Sequence, residues 1–210
     1  MPSANTHHPA IAQALAEQGW VEVPGYLDPA ATAALREEFP SPEIQPSLWQ
    51  PAAIGRRDQR QQNTEVRRGW QAWLEPGAGP AQRDHLQRLD ALRTDMNRLL
   101  YLGLRSVEAF ASWQQPGDFY RTHRDNFQDG QSRVVTAVLY LNPHWQPHLG
   151  GELRLMDDQG AEVARILPQD GTLACFLSRH HPHEVLPAQR PRLAIPAWLR
   201  HDDPATRWCS

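Results

Sequence analysis

The feature that most restricts this chain is a change of hydrophobic period near Val107. Before it, apolar residues recur at three and four, as on a helix; after it, they alternate or run on in short blocks, as in strands. Eight such blocks follow, at 107–113, 119–124, 133–141, 152–156, 162–166, 172–177, 184–186 and 193–199. Turn residues separate them, as at Asp157-Asp-Gln-Gly160. Eight short strands in succession predict a small barrel or a two-sheet sandwich. Pro196, inside the last block, brings no ladder donor and is expected at an edge or a bulge.

The upstream half reads differently. Leu86, Leu89, Leu92, Met96, Leu99 and Leu100 mark one apolar face of a helix over 80–101, with Gly103 as its stop. Ile11, Ala14, Leu15 and Gln18 predict a short helix over 8–18, followed by an alternating strand at 20–23. Asp28-Pro29 starts a second helix, because aspartate caps and proline fits the first turn; it runs to Glu38 and stops before Pro40. Residues 40–80 are rich in proline and glycine and carry Arg56, Arg57, Arg60 and Arg67-Arg68-Gly-Trp70-Gln-Ala-Trp73. Two readings stand for this stretch: a solvated loop, or a binding surface built from rigid donors and aromatic area.

With 210 residues the chain suits one domain with a sizeable core. A formal charge of -3, with acidic residues spread along the chain, gives no reason to expect a nucleic-acid partner. All 21 basic side chains are arginine, a compositional bias. Cys175 and Cys209 form neither a disulfide framework nor a metal-ligand spacing, and Cys175 falls in an apolar run that predicts a buried thiol. No stretch resembles a signal peptide or reaches membrane-spanning length, so the expected setting is cytoplasmic and reduced.

The chemistry concentrates in Tyr120-Arg-Thr-His-Arg-Asp-Asn126 and Pro182-His-Glu-Val185. On an extended strand His123 and Asp125 share a face. A second imidazole from His183 would complete two nitrogens and one oxygen on one side of a cation, a set suited to non-haem Fe(II). His180 and His181 are rivals for that third place. Arg192, nine residues past His183, offers a fixed cation for a carboxylate-bearing cosubstrate, with Arg190 as the close alternative. His144 and His148 lie in a proline-rich turn and read as surface residues.

Residues 105–200 resemble the catalytic domain of the prolyl-hydroxylase branch of the Fe(II)/2-oxoglutarate-dependent oxygenases, which includes the hypoxia-inducible-factor prolyl hydroxylases and small bacterial relatives. The matching stretches are Tyr120-x-x-His123-x-Asp125-Asn126, Arg133-Val-Val-Thr136, Tyr140-Leu-Asn142, Trp145, Gly150-Gly151-Glu-Leu-Arg154, Pro182-His-Glu-Val-Leu-Pro187 and Arg192-x-Ala-Ile-x-Ala-Trp198. The resemblance implies a double-stranded β-helix, or jelly-roll, core over 105–200. It also implies that 1–104 supplies buttressing helices, first strands and a substrate-covering segment, within a single domain over 1–210. It favours His123, Asp125 and His183 as ligands of Fe(II), and Arg192 over Arg190 as anchor of 2-oxoglutarate. Tyr140 would assist Arg192, Thr136 would line the same pocket, and O2 would be the second cosubstrate. Tyr120, Arg133 and Trp198 correspond to the substrate mouth, with Tyr140 and Trp198 equally readable as core residues. Trp113 stands at that mouth where relatives often carry tyrosine. The implied reaction turns 2-oxoglutarate into succinate and CO2 while hydroxylating a C–H bond. The substrate indicated is a prolyl residue of a protein, a translation factor for a bacterial member. A free amino acid or other small molecule is the alternative substrate, and a non-catalytic metal-binding barrel acting as sensor or adaptor is the alternative class.

Overall fold

The structure, a computed structural model, describes residues 6–52, 65–125 and 132–202; Arg56, Arg57, Arg60, Asn126 and Cys209 lie outside them. Three helices come first: α1 (His8–Glu17), α2 (Pro29–Glu38) and α3 (Pro80–Leu100). Between them lie β1 (Trp20–Val23), β2 (Gln50–Pro51) and β3 (Trp70–Trp73). The second half is β4 (Ser106–Gln114), β5 (Tyr120–His123), β6 (Arg133–Tyr140), β7 (Leu153–Met156), β8 (Glu162–Ile166), β9 (Leu173–Leu177), β10 (His183–Val185) and β11 (Arg192–Arg200).

The caps follow simple chemistry. Asp28 accepts the Ala31 N–H at 2.9 Å and starts α2. The carboxylate of Glu38, at the end of α2, accepts the Ala81 and Gln82 N–H groups at 2.8 and 2.9 Å and so caps α3. At the far end of α3 the left-handed position falls on Tyr101, with φ 55°, two residues before the expected glycine stop.

The strands form a seven-stranded sheet, in the order β1-β9-β6-β11-β4-β3-β2, and a four-stranded sheet, in the order β5-β10-β7-β8. The sequence blocks divide evenly between them. Those with near-continuous apolar runs (β4, β6, β9, β11) enter the large sheet, where both faces are covered. Polar-rich β5 and β8 enter the small sheet, which has an exposed face. On the large sheet Val135, Ala137, Leu139, Cys175, Leu193, Ile195, Ala197 and Leu199 face the helices and pack in one core with Leu89, Leu92 and Met96 of α3. Val138, Tyr140, Ala174, Phe176 and Ala194 face the small sheet and meet Leu153, Leu155 and Ile166. Truncating a leucine of the first core to alanine costs about 2–5 kcal/mol. This is the expected double-stranded β-helix with helices buttressing its large sheet. No helix among the described residues is long and apolar enough to cross a membrane.

Pro196 corrects one expectation. It sits in β11, a central strand, in regular register with Val138 of β6. The ladder from β11 to β4 joins Arg192–Ala194 and Ala197–Arg200 and skips Ile195 and Pro196. A local gap in one ladder accommodates the missing donor without an edge position.

Candidate metal centre

β5 and β10 are antiparallel neighbours, with His123 directly opposite His183. Directly opposed residues project to one face, which brings the two imidazoles to 4.2 Å between centroids. Asp125 lies just past β5 in a bend rather than on the strand. Its Oδ1 is 3.6 Å from His123 Nε2 and its Oδ2 is 3.6 Å from His183 Nε2. One donor atom from each of the three residues lies within 4.8 Å of the others. These gaps exceed a hydrogen bond and match donors arranged around a cation about 2 Å from each.

The backbone sets both imidazoles for that task. His123 Nδ1 faces the Arg121 carbonyl at 2.8 Å, and His183 Nδ1 faces the His181 carbonyl at 3.1 Å. Each carbonyl requires Nδ1 to donate, which leaves the Nε2 lone pair directed at the centre. Burial, with His123 alongside, pushes the His183 imidazole down to about 4, so the ring is neutral at pH 7. Burial alone would raise the Asp125 carboxyl; His183, His123 and Arg133 together override it and hold the group below the usual carboxylate range. A neutral imidazole and an ionised carboxylate are the ligand forms a divalent metal takes.

The rival histidines separate cleanly. His180 is exposed. His181 is buried and packs over Gly19, with Nδ1 at 3.2 Å from the Met156 carbonyl. His144 and His148 are exposed, as expected.

Arg192 is 3 % exposed. Its Nε donates to the Gly151 carbonyl at 3.0 Å and its Nη1 to Gln114 Oε1 at 2.8 Å. Gly151, at φ +76°, is required there: a Cβ would lie 3.0 Å from the Trp145 ring and 3.4 Å from Arg192 Cδ. Arg192 also rests against Tyr140, 5.2 Å from guanidinium carbon to ring centroid. Burial lifts the Tyr140 phenol to about 12, partly offset by Arg192. Tyr140 Oη is a buried hydroxyl that makes no well-aligned hydrogen bond among the described residues, and Arg192 is the charged group beside it. An orphaned hydroxyl beside a dry guanidinium fits a carboxylate. Arg190, the alternative anchor, precedes β11; it stacks on Trp145 and donates to the Pro143 carbonyl instead.

Thr136, expected to line the cosubstrate pocket, donates its hydroxyl to Asp125 Oδ2 at 2.6 Å. Around the mouth, Tyr120 stacks on His123 with centroids 3.6 Å apart. Arg133 lies 3.5 Å over the Trp198 ring and donates to Glu108 Oε1 at 2.7 Å. Glu108 also receives Arg200. Trp198 is 6 % exposed and packs on Phe110, as its core reading expects. Trp113 corrects an expectation: it points to the helix side, against Trp49, and Gln114 takes the inward place. Sequence reasoning did not single out Gln114, Glu108 or Ser178, and named Arg67 only within the Arg/Trp-rich stretch. Arg67 covers both Tyr120 and Phe110, at 4.8 and 5.2 Å; the Arg/Trp-rich composition around it was the available signal.

Residues 109–200 match the family model of the 2OG-Fe(II) oxygenase superfamily. Egl nine homolog 1 of Rattus norvegicus is 37% identical over 105 residues, 49% of this chain and 31% of that protein. Prolyl hydroxylase EGLN3 of Mus musculus is 36% identical over 100 residues, 47% of this chain and 41% of that protein. The chain thus spans well under half the length of these curated relatives. Among solved structures, a Pseudomonas putida prolyl-4-hydroxylase superposes with a TM-score of 0.83 at 37% identity, covering 93% of this chain and 100% of that one. A Trichoplax adhaerens prolyl hydroxylase, solved with a hypoxia-inducible-factor peptide, shares the fold at a TM-score of 0.80 and 24% identity, over 99% of this chain and 94% of that one. A match along the full length of a solved relative, on a fold that gathers two imidazoles and a carboxylate beside a buried guanidinium, means that this chain belongs to the 2OG-Fe(II) oxygenase superfamily, in its prolyl-hydroxylase branch.

Proposed function

We propose that the protein is an Fe(II)- and 2-oxoglutarate-dependent dioxygenase that hydroxylates a prolyl residue of a protein substrate and releases succinate and CO2. The observation that carries this reading is the pairing of one open three-donor cluster with one buried guanidinium beside an unpartnered phenol. His123, Asp125 and His183 would hold Fe(II). When bound, the iron supplies the activation of O2 that links decarboxylation of 2-oxoglutarate to hydroxylation of a C–H bond. Arg192 and Tyr140 would fix the distal carboxylate of 2-oxoglutarate, with Gln114 and Gly151 holding the guanidinium in place beforehand. Phe176 packs on His183 with centroids 4.7 Å apart and Leu155 stands opposite His183 in the β7–β10 ladder, so apolar side chains border the metal end of the site.

Tyr120, Arg133 and Trp198 would receive the substrate. Arg133 covers Trp198 and is anchored by Glu108, so the pair would form a fixed cationic and aromatic border for an incoming peptide. Within this reading, residues 1–210 act as a single oxygenase domain, in the cytoplasm and without a nucleic-acid partner. The first protein substrate to try is a translation factor, on the strength of the resemblance to small bacterial relatives. Incubation of the Fe(II)-loaded protein with 2-oxoglutarate and cell extract should add 16 Da to a proline of a protein, located by peptide mass spectrometry. Modification only of a free small molecule, or metal binding with no succinate formed, would overturn the proposal.

A further inference from the structure

Asp125 brings two oxygens to the centre, and each is 3.6 Å from one imidazole nitrogen. Position alone therefore does not select one of them as ligand. A buried polar relay does. Thr136 Oγ1 donates to Asp125 Oδ2 at 2.6 Å, and Ser178 Oγ lies 2.8 Å from Thr136 Oγ1. Asp125, Thr136 and Ser178 are 6, 2 and 0 % exposed. The large sheet fixes the relay: Thr136 sits in the β6–β9 ladder opposite Phe176, and the Ser178 N–H donates to the Val134 carbonyl at 3.0 Å.

Proton counting gives the relay a direction. An ionised carboxylate only accepts, and a threonine hydroxyl has one proton. Thr136 gives that proton to Asp125, so Ser178 must donate to Thr136. We propose that Ser178 and Thr136 are positioning residues that reserve Asp125 Oδ2, make Asp125 a ligand through Oδ1 alone, and so keep a coordination position free for the cosubstrates. This rests on the reading of His123, Asp125 and His183 as the metal ligands. Its consequence is a matter of counting. Three single-atom ligands leave three positions on a six-coordinate metal, enough for a chelating keto acid and one more molecule. A two-oxygen Asp125 leaves only two.

The test is anaerobic binding, without turnover. Co(II) and then 2-oxoglutarate are titrated into wild type, Thr136→Val, Thr136→Ser and Ser178→Ala, by calorimetry and by the visible absorption of Co(II). Thr136→Val is expected to hold Co(II) within threefold of wild type, or more tightly, while 2-oxoglutarate affinity falls at least tenfold, the effect of losing a hydrogen bond to a charged group. Thr136→Ser should behave as wild type, and Ser178→Ala should lose about threefold in 2-oxoglutarate affinity alone. Unchanged 2-oxoglutarate affinity in Thr136→Val, or a loss in Thr136→Ser equal to that in Thr136→Val, overturns the proposal. Should Thr136→Val not fold, Ser178→Ala decides by the same measure. A His123→Ala control that still binds Co(II) at wild-type affinity would instead remove the ligand assignment on which the relay depends.

Discussion

Replacing Arg192 by alanine probes the cosubstrate half of the site. The side chain is 3 % exposed, and two of its nitrogens are already bonded, to Gly151 and Gln114. The guanidinium is therefore ordered before any ligand arrives, and binding carries little entropy of immobilisation. In the variant, a carboxylate in that cavity would face Tyr140 alone. Removing one partner of a buried, hydrogen-bonded charge pair costs about 3–5 kcal/mol. At about 1.4 kcal/mol per decade, 2-oxoglutarate should bind roughly a hundredfold to a few thousandfold more weakly. The assay is calorimetric titration of 2-oxoglutarate into the Mn(II)-loaded protein without O2.

A stability effect must be separated from this. The variant also strips a donor from the Gly151 carbonyl and from Gln114, each worth about 1–3 kcal/mol when left buried and unpaired. Urea denaturation of the metal-free protein measures that part. Arg192→Lys retains the charge, but a single ammonium cannot serve Gly151, Gln114 and a ligand at once; its affinity should fall between wild type and alanine. A folded Arg192→Ala variant that binds 2-oxoglutarate within threefold of wild type would refute the reasoning and move the anchor elsewhere.

Asp125→Ala should weaken Mn(II) binding by more than about a hundredfold with little change in thermal midpoint, because Thr136 keeps Ser178 as a partner; an unfolded product would mean a structural metal. Glu108→Gln removes the charge between Arg133 and Arg200 and should raise KM for a protein substrate about fivefold, on the order of 1 kcal/mol, without altering 2-oxoglutarate affinity. Tyr101→Gly should stabilise the fold by about 0.5–1 kcal/mol in urea melts, since the tyrosine is 90% exposed and holds a left-handed φ of 55°. His85 is buried with neither ring nitrogen bonded, and burial, with Arg88 nearby, pushes it down to about 4. Between about pH 6.5 and that value the unfolded chain takes up a proton the folded chain refuses, so stability falls with pH by up to about 3 kcal/mol; His85→Phe should flatten the urea-midpoint profile over that window.

Much of the fold was legible because the period of the apolar residues changes with the element. The eight strand blocks and all three helices fall within a residue or two of their expected places. The His123-x-Asp125 spacing marked the pair, although Asp125 lies past β5 in a bend and not on the strand that the spacing assumed. The choice among His180, His181 and His183 depends on where β10 starts, and that is set by pairing with β5 and β7, far away in the chain. Arg190 and Arg192 were inseparable for the same reason, since β11 begins at Arg192. Gln114, Glu108 and Ser178 are ordinary polar residues, and their partners stand 78, 25 and 42 positions away. No local pattern marks such residues.

Hydropathy also fails to say which face of the large sheet is the cavity, because helices cover one face and the small sheet the other. The partners that polar residues find across the fold carry that information: Thr136 within β6, and Gln114, Ser178 and Arg192 at or beside strand ends. All four turn toward the cavity, and each neighbouring apolar residue in β11, Leu193 and Ile195, turns toward the helices. A slip of β11 by one residue would turn Arg192 to the side where Leu193 now lies beside Phe39, Trp113 and Leu141. Taking an unpaired charge out of water costs several kcal/mol, a large share of a domain's whole stability. The residue we propose as the cosubstrate anchor would thus also forbid the wrong register, so one side chain would serve both the site and the fold.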